Sequence, residues 1–212
     1  MKRLCSVCAR GGSKGVPNKN IRPLLGKPLL IHSLDQARES GLFNCIVVSS
    51  DSNEILQLAE EWGVDHAIER PEELATDFAP KLPVIQHCFQ TAETLSGMTF
   101  DNAVDLDATS PLRNKADLIG VVDLLESHDS TTNVITGTTA RRSPYFNLVE
   151  LDEIGRVYLS GKRQNDVKAI VRRQDAPQCY DMNASIYAWW RESLLNTTDH
   201  VIQFGTRLYL MP

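Results

Sequence analysis

The segment Arg10-Gly11-Gly12-Ser13-Lys14-Gly15, followed by Lys19-Asn20, packs three cations, a hydroxyl and an amide into one glycine-rich loop. Adjacent glycines let a backbone turn sharply and approach a ligand closely. A donor-rich cationic loop after a first strand is where α/β proteins hold phosphates. Two common phosphate fingerprints are absent. No Gly-Lys-Ser/Thr triplet completes a P-loop, and Gly11-Gly12-x-x-Gly15 runs into Pro17 and a charged stretch, so no helix is expected before Pro28. An ordinary surface turn is the competing reading of the Gly-Gly pair. The polar and cationic side chains crowded into the same loop weigh against it.

Other reactive residue types follow the ends of later apolar runs. They are Ser49-Ser50-Asp51, Glu69-Arg70-Pro71 with Thr76-Asp77, and Asp105-Leu106-Asp107-Ala108-Thr109-Ser110-Pro111-Leu112-Arg113. Strand alternation puts Asp105 and Asp107 on one face. Paired carboxylates there could hold a divalent cation, the usual charge partner of a nucleoside triphosphate. A turn-capping role is the alternative. It is favoured for Asp105, and for Asp107 both readings stand. Arg172-Arg173 suits planar anions or a solvated turn. Cys5-x-x-Cys8 falls inside a strand, where positions three apart face opposite sides, so it reads as two small core residues rather than a redox pair.

Elements that position these residues alternate. Strands are expected at 4–9, 45–49, 65–68, 103–106 and 133–138, with helices at 28–40, 53–62, 82–95 and 116–126. Leu29, Leu30, Leu34 and Ala37 form the buried stripe of the first helix, Asp51 or Ser52 caps the second, and Gly41 and Gly63 end them. This rhythm implies an α/β fold, a mostly parallel sheet covered by helices on both faces. Ligands then bind beyond the carboxyl ends of the strands. A β-hairpin is expected at 145–150 and 156–159, a polar, charge-rich stretch over 160–174, and late strands at 185–190 and 207–211. Residues 1–140 and 180–212 are read as the core, and 141–179 as a hairpin insertion.

The 212 residues are 42% hydrophobic and carry a net charge of -5, which suits one sizeable domain and argues against nucleic-acid binding. No apolar run approaches the length of a membrane span, and the short run after Met1-Lys2-Arg3 is not a signal peptide. Five cysteines without a disulfide pattern suit a reducing cytoplasm.

Taken together, Ala9–Gly15 with Lys19-Asn20, Val48–Asp51, Arg70-Pro71, Thr76-Asp77, Thr109–Arg113 and Asn183-Ala184-Ser185-Ile186-Tyr187 occur in order over nearly the whole chain. This set resembles the acylneuraminate cytidylyltransferase family. Asp105-Leu106-Asp107, Pro144–Asn147 and Tyr180-Asp181-Met182-Asn183 are most similar to its legionaminic acid branch. The resemblance implies a three-layer, Rossmann-like nucleotide-diphospho-sugar transferase fold, CTP and a nonulosonic acid as substrates, Mg²⁺ dependence, and a homodimer built through the hairpin. It also implies roles. Arg10, Ser13 and Lys19, with Lys14 and Asn20, would serve the triphosphate loop, and Arg70 and Asp77 the cytidine. Asp107 would lie near the metal or the sugar, Asn183 and Tyr187 in the sugar pocket, and Gln178 at its rim. No general base is assigned. The family continues into an acidic Ser-x-Asp-x-Asp segment that helps bind the metal. This chain ends at Leu210-Met211-Pro212, so the expectation is either a further tail or a metal held differently. A nucleotide-binding module without catalysis is the alternative. An NAD-type reductase is disfavoured by the glycine spacing and the lack of a positioned Tyr-x-x-x-Lys pair.

Overall fold

The computed structural model describes residues 1–128, 130–160, 170, 172–198 and 200–212. Seven strands form its main sheet: β1 (Arg3–Cys8), β4 (Cys45–Ser50), β5 (His66–Glu69), β6 (Asn102–Leu106), β7 (Asn133–Thr139), β10 (Tyr180–Trp190) and β11 (Thr206–Leu210). Their order is β11-β7-β10-β6-β1-β4-β5. β1 pairs in parallel with both β4 and β6, β4 pairs in parallel with β5, and β10 runs antiparallel to β6. The expected mostly parallel sheet is therefore present. Its central strands β1, β4 and β6 are buried along nearly their whole length because both faces are covered.

Helices α1 (Leu29–Ser40), α2 (Asn53–Trp62), α3 (Lys81–Ser96) and α4 (Lys115–Glu126) link the strands. Gly41 and Gly63 end α1 and α2 in the left-handed conformation, as their positions predict. Asn114 and Asp117 open α4 with a reciprocal capping box. The buried stripe of α1 differs from expectation. Ile31 is buried and Leu29 is half-exposed, because Leu29 opens the helix where the turn from Pro28 faces outward.

Two apolar clusters sit on opposite sides of the sheet. Cys5, Val7 and Ala9 of the first segment join one cluster. Leu4 joins the other, and Cys8 packs against that second one. The C-x-x-C pair is thus split across the sheet, and both cysteines are free thiols.

A miniature hairpin pairing β2 (Pro23–Leu24) with β3 (Lys27–Pro28) and a short α5 over Arg191–Asn196 are not expected from the sequence, and β10, expected from Ser185, begins five residues earlier. A three-residue 3₁₀ turn also occupies Lys19–Ile21, ahead of the Pro28 limit.

The chain divides into two compact units. One is Met1–Thr136 with Ala184–Tyr209, and the other is Gly137–Asn183 with Leu210–Pro212. In the second, β8 (Val149–Leu151) pairs antiparallel with β9 (Val157–Leu159), shorter than expected. Asp152 ties their turn by accepting from the backbone N–H groups of Ile154 and Arg156. Among the described residues, no helix is long and apolar enough to cross a membrane.

Candidate active site

In the first unit, β1 lies between β4 and β6, so the loops leaving these three carboxyl ends are neighbours. The loops after β1 and β6, the segment after β5 and the start of α3 enclose a cleft of about 530 Å³. Arg10, Ser13, Lys14, Lys19 and Asn20 line it from the first loop, Arg70 and Asp77 from the segment after β5, and Asp107 from beyond β6. Eight positions spread over nearly a hundred residues thus meet in one place.

The first loop is pinned from below. Asn20 is 6% exposed and donates through Nδ2 to the Arg10 carbonyl at 2.9 Å. The Gly11 N–H donates to Asp51 Oδ1 at 2.9 Å. A Cβ on Gly11 would lie 2.9 Å from Ser52 Cβ, so only glycine fits this approach. Asp51 therefore holds the loop rather than capping α2. Ser52 occupies the cap position without a side-chain bond.

Arg10 Nη1 lies 2.9 Å from Asp77 Oδ1, and Lys14 Nζ lies 2.5 Å from Asp77 Oδ2. The Lys14 hydrogen bond, with Arg10 adding, holds the Asp77 carboxyl below the usual carboxylate range. Asp77 is thus an internal anion between two loop cations. Arg70 differs from both. It is 7% exposed, and among the described residues its guanidinium donates to Ser49, to the carbonyl at 2.8 Å and Oγ at 3.4 Å. Among the described residues no carboxylate pairs with it. A buried cation without a counter-charge is costly unless a ligand supplies a partner.

At the other end of the cleft, Asp107 Oδ1 accepts from the Thr109 N–H at 2.7 Å and Thr109 Oγ1 at 2.6 Å. Asp107 Oδ2 faces Lys81 Nζ at 3.5 Å, and the same ammonium lies 3.0 Å from Asp105 Oδ2. Burial pushes the Asp107 carboxyl up, but Lys81 and Thr109 bring it below its ordinary value. Arg113, 3% exposed, fastens this loop. Its Nη1 donates to the carbonyls of Asp107 at 2.9 Å and Ser185 at 2.8 Å, and Nη2 donates to Ser33 Oγ. Burial lowers its pKa to about 10, so it stays charged at neutral pH. A cationic wall faces a fixed carboxylate, an arrangement able to hold a polyanion and aim an oxygen nucleophile at it.

Residues 4–209 match the family model described as Cytidylyltransferase. The chain belongs to the cytidylyltransferase family. Over 208 residues it is 43% identical to "Post-translational flagellin modification protein B" of Campylobacter coli. It is 41% identical to "CMP-N,N'-diacetyllegionaminic acid synthase" of Campylobacter jejuni, and each match spans 98% of this chain and 85% of the relative. A solved structure of CMP:2-keto-3-deoxy-manno-octonic acid synthetase complexed with CTP superposes with a TM-score of 0.71 at 15% identity, covering 100% of this chain and 90% of that one, a likeness of fold.

The remaining predicted residues of this cytidylyltransferase fall elsewhere. Tyr187 is 4% exposed and does not line the cleft. It stacks on Trp189 with centroids 5.5 Å apart and carries Lys81 above its ring at 4.7 Å. Gln178 and Asn183 belong to the second unit. There Gln178 is exposed and donates to the Cys179 carbonyl, and Asn183 Nδ2 lies 3.2 Å from Met211 Sδ. Arg172 pairs with Asp175 at 2.7 Å. The Arg173 side chain and most of 160–174 lie outside the described residues.

Lys81 is the site residue that sequence reasoning missed. The third helix is expected to start at Leu82, one residue after Lys81, so the sequence pattern gives Lys81 no role. One signal was available. A lysine at the first helical position opposes the helix dipole, and a broken local rule marks a function.

The donor set does not fit a preformed metal centre. Among the described residues no group of three or more His, Cys, Asp or Glu could hold a metal. Asp107 presents one oxygen to Thr109 and the other to an ammonium.

Proposed function

We propose that this cytidylyltransferase activates a nonulosonic acid with CTP, giving the CMP-sugar and pyrophosphate, and that a legionaminic-type acid is its preferred substrate. The observation that carries the reading is the cleft's charge. Five cations (Arg10, Lys14, Lys19, Arg70 and Lys81) line it against two carboxylates, Asp77 and Asp107, in a chain whose net charge is -5. Such a local excess suits the triphosphate of CTP. The names of the relatives support the sugar-acid class. Asp105-Leu106-Asp107 and Tyr180–Asn183 support the legionaminic branch.

In the reaction the anomeric hydroxyl of the sugar acid forms a new bond to the α-phosphorus. The bond from that phosphorus to the β-phosphate oxygen breaks, and pyrophosphate leaves with the electron pair. Arg10, Ser13, Lys14 and Lys19 are assigned to the triphosphate, with Asn20 holding their loop. Arg70 and Asp77 are assigned to the cytidine, and Asp107 to the sugar side. Asn183 and Gln178 are kept as sugar contacts. Tyr187 supports the site from beneath Lys81. Mg²⁺ enters this reading only as the counter-ion of CTP; Asp107, whose oxygens face Thr109 and Lys81, is not assigned to hold it.

A homodimer is part of the proposal. Val149, Leu151, Ile154 and Val157 of the hairpin are 52–74% exposed, an apolar ridge suited to a second copy. Free thiols at all five cysteines support a reducing, cytoplasmic setting.

The test is pyrophosphate release from CTP and Mg²⁺ with legionaminic, pseudaminic and neuraminic acids in parallel. Turnover fastest with legionaminic acid is expected. CTP binding without pyrophosphate from any acid would point to a non-catalytic nucleotide-binding module and overturn the proposal.

A further inference from the structure

Lys81 opens α3 with its side chain reaching into the cleft toward two carboxylates. Asp105 has no accessible surface. Its Oδ1 accepts from Ser6 Oγ at 2.8 Å, while its Oδ2 has no hydrogen bond of good geometry and lies 3.0 Å from the Lys81 ammonium, its ion-pair partner among the described residues. The same ammonium lies 3.5 Å from Asp107 Oδ2 and 4.7 Å above the Tyr187 ring. Two carboxylates converging on one point, with an aromatic face below, make a cation site. Here the chain fills it from its own helix. Burial opposes the charge on Lys81, but Asp105 and Asp107 together raise its pKa above the ordinary amine value.

We propose that Lys81 is the resident counter-ion of the Asp105–Asp107 pair, occupying the point between the carboxylates where a divalent cation would otherwise bind and fixing Asp107 toward the cleft. Lys81 is thus a positioning residue, acting through Asp107. Filled in this way, the Asp105–Asp107 pair presents no divalent site, so a divalent cation at this point of the cleft arrives already bound to the nucleotide. This last consequence rests on the CTP reading of the cleft, whereas the counter-ion role does not.

Binding of Mn²⁺, followed by electron paramagnetic resonance without nucleotide, separates the two. The wild-type chain is expected to leave Mn²⁺ free, and Lys81→Met to bind one equivalent at least tenfold more tightly. Lys81→Arg keeps the charge and is expected to behave as wild type. Lys81→Met can also destabilise the fold by stranding Asp105. The double variant Lys81→Met/Asp105→Asn removes both charges, and is expected to fold and to lose the Mn²⁺ site again. Stoichiometric Mn²⁺ binding by the wild type, or equal Mn²⁺ affinity in the wild type and a folded Lys81→Met, overturns the proposal. If Lys81→Met does not fold, a folded double variant that still binds Mn²⁺ overturns it too. A second arm adds CTP to the wild type. Mn²⁺ immobilised only with CTP supports nucleotide delivery. Failure of CTP to bind at all refutes the reading of the cleft while leaving the counter-ion assignment standing.

Discussion

Replacing Arg70 with Met tests whether the cleft is built to receive a nucleotide. Arg70 is 7% exposed and, among the described residues, donates to Ser49 alone. Its removal leaves no orphan on the backbone, because the Ser49 carbonyl also accepts from the Ala9 N–H at 3.0 Å. A buried cation without a carboxylate carries a desolvation cost that two neutral hydrogen bonds offset only in part. Methionine keeps much of the stem volume and sheds that cost. The denaturation midpoint of Arg70→Met is therefore expected to equal or exceed that of the wild type. Ligand binding moves the other way. A hydrogen bond with a charged partner is worth about 1.5–3 kcal/mol, so the affinity for CTP drops roughly 10- to 150-fold. CMP loses affinity in the same proportion if Arg70 holds the cytidine, whereas Arg10→Ala weakens CTP and spares CMP. Calorimetric titration of both nucleotides, with urea unfolding on the same samples, gives the two signs. A variant with a lowered midpoint and wild-type nucleotide affinity would refute the reasoning and make Arg70 a structural arginine.

Four further outcomes are expected. Glu126 accepts hydrogen bonds from Arg3 at 2.7 and 2.8 Å and from Asn102 at 2.8 Å; the Arg3 bonds, with Asn102 adding, outweigh burial and hold its carboxyl below the usual range. Its stabilising contribution is present above the unfolded carboxylate pKa and is lost as pH falls through the folded one, so the gap in urea midpoint between wild type and Glu126→Gln closes on acidification below about pH 4.3. Leu25, 92% exposed, sits at φ 50 in the two-residue turn between β2 and β3; Leu25→Asn suits that turn better and is expected to add about 1 kcal/mol, or roughly 2–4 °C in calorimetric Tm. Burial raises the Cys5 thiol well above its ordinary value and pushes Cys45 to about 12, so maleimide mass mapping at neutral pH should find both unlabelled in native protein, Cys179 labelled first, and all five labelled in denaturant. Ile154→Asp, at a 74% exposed hairpin tip, should convert a sedimenting dimer to a folded monomer; an unchanged sedimentation coefficient would rule out this ridge as the contact.

Strand and helix positions were legible because periodicity is local. Cys45–Ser50 reads as a buried strand from its own residues, and Gly63 ends α2 wherever that helix lies. Elements of two or three residues, such as β2 and β3, carry too little periodicity to be seen. The phosphate-loop chemistry of Arg10–Asn20 was equally plain, because the residue types suffice to name it.

Partnerships were another matter, since they depend on strand order. β1 sits between β6 and β4, with β5 beyond β4, and that order brings Arg70, Asp77 and Asp107 to the first loop. It also turned Asp51 from a helix cap into a tether for Gly11, and joined Asp77 to Arg10 and Lys14. Tyr187, expected in a sugar pocket, lies under Lys81 because β10 pairs antiparallel with β6 and sets Tyr187 opposite Asp105. The sequence by itself determined the longer elements, the class of ligand and the cationic loop. Only the tertiary structure decided which charges neutralise one another, because an ion pair forms between chain segments that local periodicity cannot relate.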